Sequence, residues 1–211
     1  MVIADPRLYR LFRSPWRLVT VVVLLLLSGP SPATAQTWII QDVGRTLQFS
    51  LMTSRHLQLD LDGHPHVLYG GSYLAYARHN GRYWQYETAD PSPGTGHYAA
   101  LALDSQGRPH AGYWDNVNGG LKYAYRADDG WHAELVDVGL SAGQGGYVAI
   151  ALDTLDNPHL TYRDGVRLDL RYAHLGPSGW QTATLESEGD VGMYTSLALD
   201  AADEPHITYH D

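Results

Sequence analysis

Cysteine is absent from the 211 residues, which excludes disulfides, thiolate metal sites and a lipid-modified cysteine behind a leader. Stability after export has to come from the packed core alone. The sequence is very poor in lysine and has only 2 phenylalanines. Apolar runs are short: the stretch Leu18 to Leu27 is ten residues, against the roughly 20 that a membrane-spanning helix needs. No 3.6-residue apolar period is present, which excludes helical solenoids. His-Glu-x-x-His does not occur, so that familiar metallohydrolase signature is missing.

The N-terminal order is basic, apolar, then small. Arg7, Arg10, Arg13 and Arg17 precede the apolar stretch, and Pro30, Pro32 and Ala33-Thr34-Ala35 follow it. This is the pattern of a secretory signal peptide over residues 1–35, with cleavage expected after Ala35 and a secreted or periplasmic destination. Removing that segment takes four Arg and one Asp with it, leaving 10 basic against 22 acidic residues, net −12. A surface of that sign repels phosphate backbones, so nucleic acid is excluded as a partner. No membrane span is expected once the leader is gone.

Residues 36–211 are organised by an internal repeat. Leu57-Gln58-Leu59-Asp60 returns as Leu101-Ala102-Leu103-Asp104, Ile150-Ala151-Leu152-Asp153 and Leu197-Ala198-Leu199-Asp200. Each copy leads to Pro-His and then a Tyr three residues after the His: His66 with Tyr69, His110 with Tyr113, His159 with Tyr162, His206 with Tyr209. Next come Leu74-Ala75-Tyr76-Ala77, Leu121-Lys122-Tyr123-Ala124 and Leu170-Arg171-Tyr172-Ala173, and then Trp84, Trp131 or Trp180. Alternating apolar positions punctuated by Gly, Asp, Asn and Pro make these short strands, four to a unit. Between the first two strands, the fourth turn position is Gly63, Gly107, Asp156 or Asp203, residue types that tolerate the left-handed conformation of a tight hairpin.

A four-stranded unit at this period predicts an all-β fold, a β-propeller of four-stranded blades with repeats starting near 57, 101, 150 and 197. The motif Leu-Ala-Leu-Asp-x-x-Gly-x-Pro-His-x-x-Tyr resembles the hairpins of NHL-type and sialidase-like (BNR-type) propellers. What the resemblance implies is fold, not activity. Asp104 stands three residues before Gly107, where the sialidase Asp-box has two, and the sialidase arginine cluster and Tyr/Glu pair have no assignable counterparts. Trp38 to Val43 reads as an outer strand and the chain stops after a second strand at Tyr209-His210-Asp211. Three complete repeats with a partial one at each end describe an incomplete ring, with a compact four-bladed form as the alternative. Unpaired strand edges in such an array favour self-association.

Residues that return in every blade solve problems common to every blade. The repeated His and Asp are therefore expected to hydrogen-bond and to cap turns rather than to bind metal, and the repeated Trp and Tyr to pack between blades. No cofactor or metal is expected. Candidate ligand-binding residues lie at the channel mouth. Tyr98, Tyr147 and Tyr194 each precede the first strand by three residues, and the loops after the second strand supply Trp114, Asp115, Arg163, Asp164, His210 and Asp211. Aromatic rings beside charged groups suit a carbohydrate or a protein surface. The expected function is thus a non-catalytic binding module. The alternatives are a glycoside hydrolase or lyase using Asp115 with Asp164, which requires one carboxyl with a raised pKa, and a propeller fragment without independent activity.

Overall fold

The computed structural model describes residues 56–140 and 145–211, all of them β-structure and turns. The first blade is β1 (Leu57–Leu59), β2 (Pro65–Gly70), β3 (Leu74–His79) and β4 (Trp84–Asp90). The second is β5 (Thr95–Leu103), β6 (Pro109–Asp115), β7 (Gly120–Ala127) and β8 (Gly130–Val138). The third is β9 (Gly146–Leu152), β10 (Pro158–Arg163), β11 (Leu170–Gly176) and β12 (Gly179–Glu186). A last hairpin, β13 (Met193–Leu199) and β14 (Pro205–His210), completes the set. Each blade is an antiparallel sheet whose spatial order is its sequence order, three of four strands and one of two. This is the propeller-type array that the repeat predicts. Trp38 to Val43 and residues 1–35, where a signal peptide is expected, lie outside the described residues.

Successive first strands lie against one another, β9 on β5 and β13 on β9. Burial follows from that stacking. The second strands β2, β6 and β10 are buried along their whole length, while the outer strands β8 and β12 are largely exposed. β14 has the same motif yet is exposed throughout except for Ile207, because among the described residues no sheet covers its far side.

The turn chemistry is the expected one. Asp104 accepts hydrogen bonds from the amides of Gln106 (2.9 Å) and Arg108 (2.7 Å), and Asp60, Asp153 and Asp200 do the same in their own turns. Asp156 and Asp203 stand where Gly63 and Gly107 stand elsewhere, with φ of 65° and 62°. They also clasp the preceding blade. The Asp156 carboxylate accepts from the amide and hydroxyl of Ser105 at 2.9 and 2.6 Å, and Asp203 from those of Thr154 at 3.0 and 2.7 Å.

Two further devices join the blades. Tyr76 meets the ring of Trp131 edge-on at 5.2 Å, and Tyr123 meets Trp180 likewise. The same indoles donate to Glu87 and Glu134 of the blade before, at 2.8 and 2.9 Å. The motif tyrosines reach back too: Tyr113 donates to Asp90 at 2.7 Å and Tyr162 to Asp137 at 2.5 Å.

The motif histidines hydrogen-bond inside their own blades. His66, His110 and His159 use Nδ1 on the hydroxyls of Tyr76, Tyr123 and Tyr172, and Nε2 lies 3.5, 3.5 and 3.7 Å from Asp60, Asp104 and Asp153. Burial lowers all three imidazole pKa values, outweighing the aspartates that raise them. The folded state therefore takes up protons less readily than the unfolded chain, whose histidines titrate at about 6.5. Stability is full above that value and lost as pH falls below it. Thermal melts followed by circular dichroism between about pH 7.5 and about pH 5 should show a falling Tm; a flat Tm across that window would contradict this role for the histidines.

Candidate functional site

The same irregularity interrupts β5, β9 and β13. Between the pairs His97↔Trp114 and Ala100↔Gly112, Tyr98 and Ala99 oppose Tyr113 alone. Between Gly146↔Arg163 and Ala149↔Thr161, Tyr147 and Val148 oppose Tyr162. Between Met193↔His210 and Ser196↔Thr208, Tyr194 and Thr195 oppose Tyr209. Each is a bulge of two residues against one, a device that re-aims a side chain out of the ladder. The first bulged residue is a tyrosine every time, with φ of 51°, 50° and 51°. A bulky L-residue held in the left-handed region costs about 1–3 kcal/mol and persists only where surrounding structure imposes it.

The bulges bring the three tyrosines together. Tyr98 and Tyr147 have ring centroids 4.9 Å apart, Tyr147 and Tyr194 5.0 Å, and His210 adds a ring 6.3 Å from Tyr194. Tyr98 and Tyr147 are half-buried, and Tyr194 is 72% exposed. Burial, with the neighbouring Tyr147 adding to it, raises the pKa of the Tyr98 phenol, so at neutral pH it is an uncharged hydrogen-bonding group. Gly146 makes room for the column and Gly145 for Trp114. A Cβ on Gly146 would stand 2.2 Å from Cδ2 of Tyr98, and one on Gly145 2.0 Å from Cζ2 of Trp114.

The remaining candidates are distributed differently. Trp114 and Asp115 belong to β6 itself rather than to the loop after it, because the ladder with β5 continues through Thr95↔Asp115. Trp114 is fully buried in a core cluster with Leu121, Leu140 and Leu160. Arg163 ends β10, is itself buried, and donates through Nε and a terminal nitrogen to Asp190 at 3.0 and 2.5 Å. Asp190, in the Gly-rich loop before β13, was not among the expected residues; its only signal in the sequence is that placement. Asp115 accepts from the amides of Val117 and Asn118 and from the Asn118 side chain. Asp164 accepts from the amides of Val166 and Arg167 and from the Arg167 guanidinium at 3.0 Å. Burial would raise the Asp164 pKa, but those amides and that guanidinium outweigh it and the net direction is downward. His210 ends β14, and Asp211 is exposed beside Gly189.

No family model and no curated protein matches the chain. Among solved structures, a fucose lectin from Kordia zhangzhouensis in complex with methyl-fucoside is similar at a TM-score of 0.42 and 18% identity, covering 62% of this chain and 97% of that one.

Away from the tyrosine column, Asp60, Asp62 and His64 bring three potential ligand atoms within 4.8 Å of one another in the first hairpin turn. Asp60 is committed there to the amides of Asp62 and His64. The cluster is a capped turn.

Proposed function

We propose that this chain is a non-catalytic carbohydrate-binding module whose ligand face is the column Tyr98, Tyr147, Tyr194 with His210. The observation that carries this reading is the threefold bulge: a strained backbone conformation is spent in the second blade, the third blade and the last hairpin on presenting a phenol, and the last ring is mostly open to solvent. A sugar's apolar face stacks on such a ring while its hydroxyls pair with phenol oxygens and with polar groups such as the nearby His210. The N-terminal leader pattern supports placing the module outside the cytoplasm.

The carboxylates support binding over hydrolysis. A glycosidase needs a carboxylic acid with a raised pKa. Asp164 is held in the opposite direction, and both Asp115 and Asp164 are occupied by their own turns.

A glycan array probed with the full chain tests the proposal. Saturable binding is expected to drop about tenfold or more in Tyr194→Ala, the loss of one well-placed aromatic contact. It should persist in Tyr86→Ala, which removes a ring that is 52% exposed elsewhere. Equal loss in both variants, or binding unchanged in Tyr194→Ala, would overturn it, and silence across the array from a well-folded chain would favour a protein partner.

A further inference from the structure

The blades are not equivalent at their seams. Between the first and second blades lies a polar cleft of about 260 Å³, lined by Arg78, Gln85 and Glu87 on one side and by Gly107, Arg108 and Arg126 on the other. At the positions of Arg78, the later blades carry Tyr125 and His174. At those of Arg108 they carry Asn157 and Glu204, and Leu175 follows Arg126. Gly107 gives way to Asp156 and Asp203, whose carboxylates clasp the preceding turn. One seam alone has therefore gathered three guanidinium groups and dropped a carboxylate. Residues that repeat serve the fold, so a departure concentrated at one seam needs a different reason.

The arginines are oriented but not used up. Arg78 is held by Nε on Gln85 at 3.0 Å, and Arg108 by Nε on Asp104 at 2.6 Å. Neither has a further protein partner for its terminal nitrogens among the described residues. Arg126 donates through Nε to Glu87 at 2.7 Å and through one terminal nitrogen to the Ala127 carbonyl. The two carboxylates are committed: Glu87 also receives the Trp131 indole, and the fully buried Asp104 side chain also caps its turn. Three guanidinium groups and the single carboxylate of Glu87 line the cleft, and Asp128 and Asp156 act on Arg108 without hydrogen-bonding it, so the lining keeps guanidinium N–H groups in excess in a chain of net charge −9. Planar guanidinium forks with free N–H groups match the oxygens of sulfate, phosphate and carboxylate. The volume holds such a group together with part of the molecule that carries it.

We propose that this seam is a second binding site, separate from the tyrosine column, for an oxyanionic group on a small polar molecule. Calorimetric titration of the full chain with sodium sulfate, sodium phosphate and sodium glucuronate, each against sodium chloride at matched ionic strength, tests it and identifies which oxyanion is held. Saturable binding of at least one probe is expected. It should weaken about tenfold or more in the double variant Arg78→Gln/Arg108→Gln, since charge-assisted hydrogen bonds are the strong ones. Arg82→Gln, an exposed arginine outside the cleft, and Tyr194→Ala should both bind as the parent does. Should the double variant fail to fold, Arg78→Gln alone serves, because its one side-chain hydrogen bond is to the partly buried Gln85. Absence of saturable binding for all three probes, undiminished binding in a folded variant, or equal weakening in Arg82→Gln would overturn the proposal.

Discussion

Trp114→Ala should lower the free energy of unfolding by about 3–5 kcal/mol, the range for deleting a large aromatic side chain from a core. The side chain is wholly inaccessible and lies between the second blade and the entry of the third, where Gly145 has no room for a Cβ against its six-membered ring. Collapse around the cavity is limited, because the ring spans two sheets rather than sitting within one. Urea denaturation of parent and variant measures the effect. Tyr194→Ala is the contrast, since it removes a ring exposed at the end of the column and should change stability within roughly 0.5 kcal/mol. A loss below about 1 kcal/mol in Trp114→Ala would mean that this tryptophan is not the wedge between blades described above.

The second large effect is expected at Asp90. Its carboxylate is buried, accepts from Tyr113 at 2.7 Å and from the Ser92 amide at 2.9 Å, and pairs with Lys122, the only lysine in the sequence. Burial alone would raise its pKa, yet Lys122, Ser92 and Tyr113 together pull it down. Asp90→Ala would strand a largely buried ammonium and a buried hydroxyl, so a loss of about 3–5 kcal/mol follows. Tyr113→Phe removes one donor and leaves the ion pair, and should cost about 1–3 kcal/mol. Because the folded-state pKa is depressed, this contribution is present above the ordinary aspartate value near 4 and disappears only as pH falls through the lowered one. It is thus separable from the histidine effect, which sets in at higher pH. Denaturation curves at neutral pH should rank the variants in that order; similar losses in both would show that Lys122 does not depend on Asp90.

Much of this architecture was legible in the sequence, for a physical reason. Each blade must solve the same turn and the same packing contact, so Leu101 through Tyr113 had to be written again at Ile150 and at Leu197, and the repeat exposed the strands. The Asp caps and the His hydrogen bonds were readable because both act within a few residues or within one sheet. The bulges were not. Tyr98, Tyr147 and Tyr194 were found by their constant offset from the first strand, but a two-against-one register depends on the partner strand and leaves no local mark. Trp114 misled for a related cause. Its position varies between repeats, which reads as an open loop, yet the ladder to Thr95 keeps it inside β6 and the third blade covers it. The Gly145-Gly146 pair was the available clue, since two adjacent glycines before a strand admit rings against the backbone.

The interblade contacts lay further from view. Asp156 and Asp203 looked like turn formers, and they are; that they also hold Ser105 and Thr154 of the blade before depends on how sheets stack. The seam lined by Arg78, Arg108 and Arg126 is visible in the sequence only when the repeats are aligned and the columns searched for departures. Repetition marks the scaffold; a break in it serves packing at Trp114 and, as proposed, oxyanion binding at this seam.

The ligand face is the claim on which the functional reading stands, and selective ¹³C labelling of the tyrosine rings tests it most directly. On titration with the best-bound glycan from the array, the ring signals of Tyr194 and Tyr147 should shift saturably while those of the buried Tyr76, Tyr113 and Tyr162 stay in place. Shifts confined to tyrosines outside the column, or absent altogether while the glycan is bound, would contradict it.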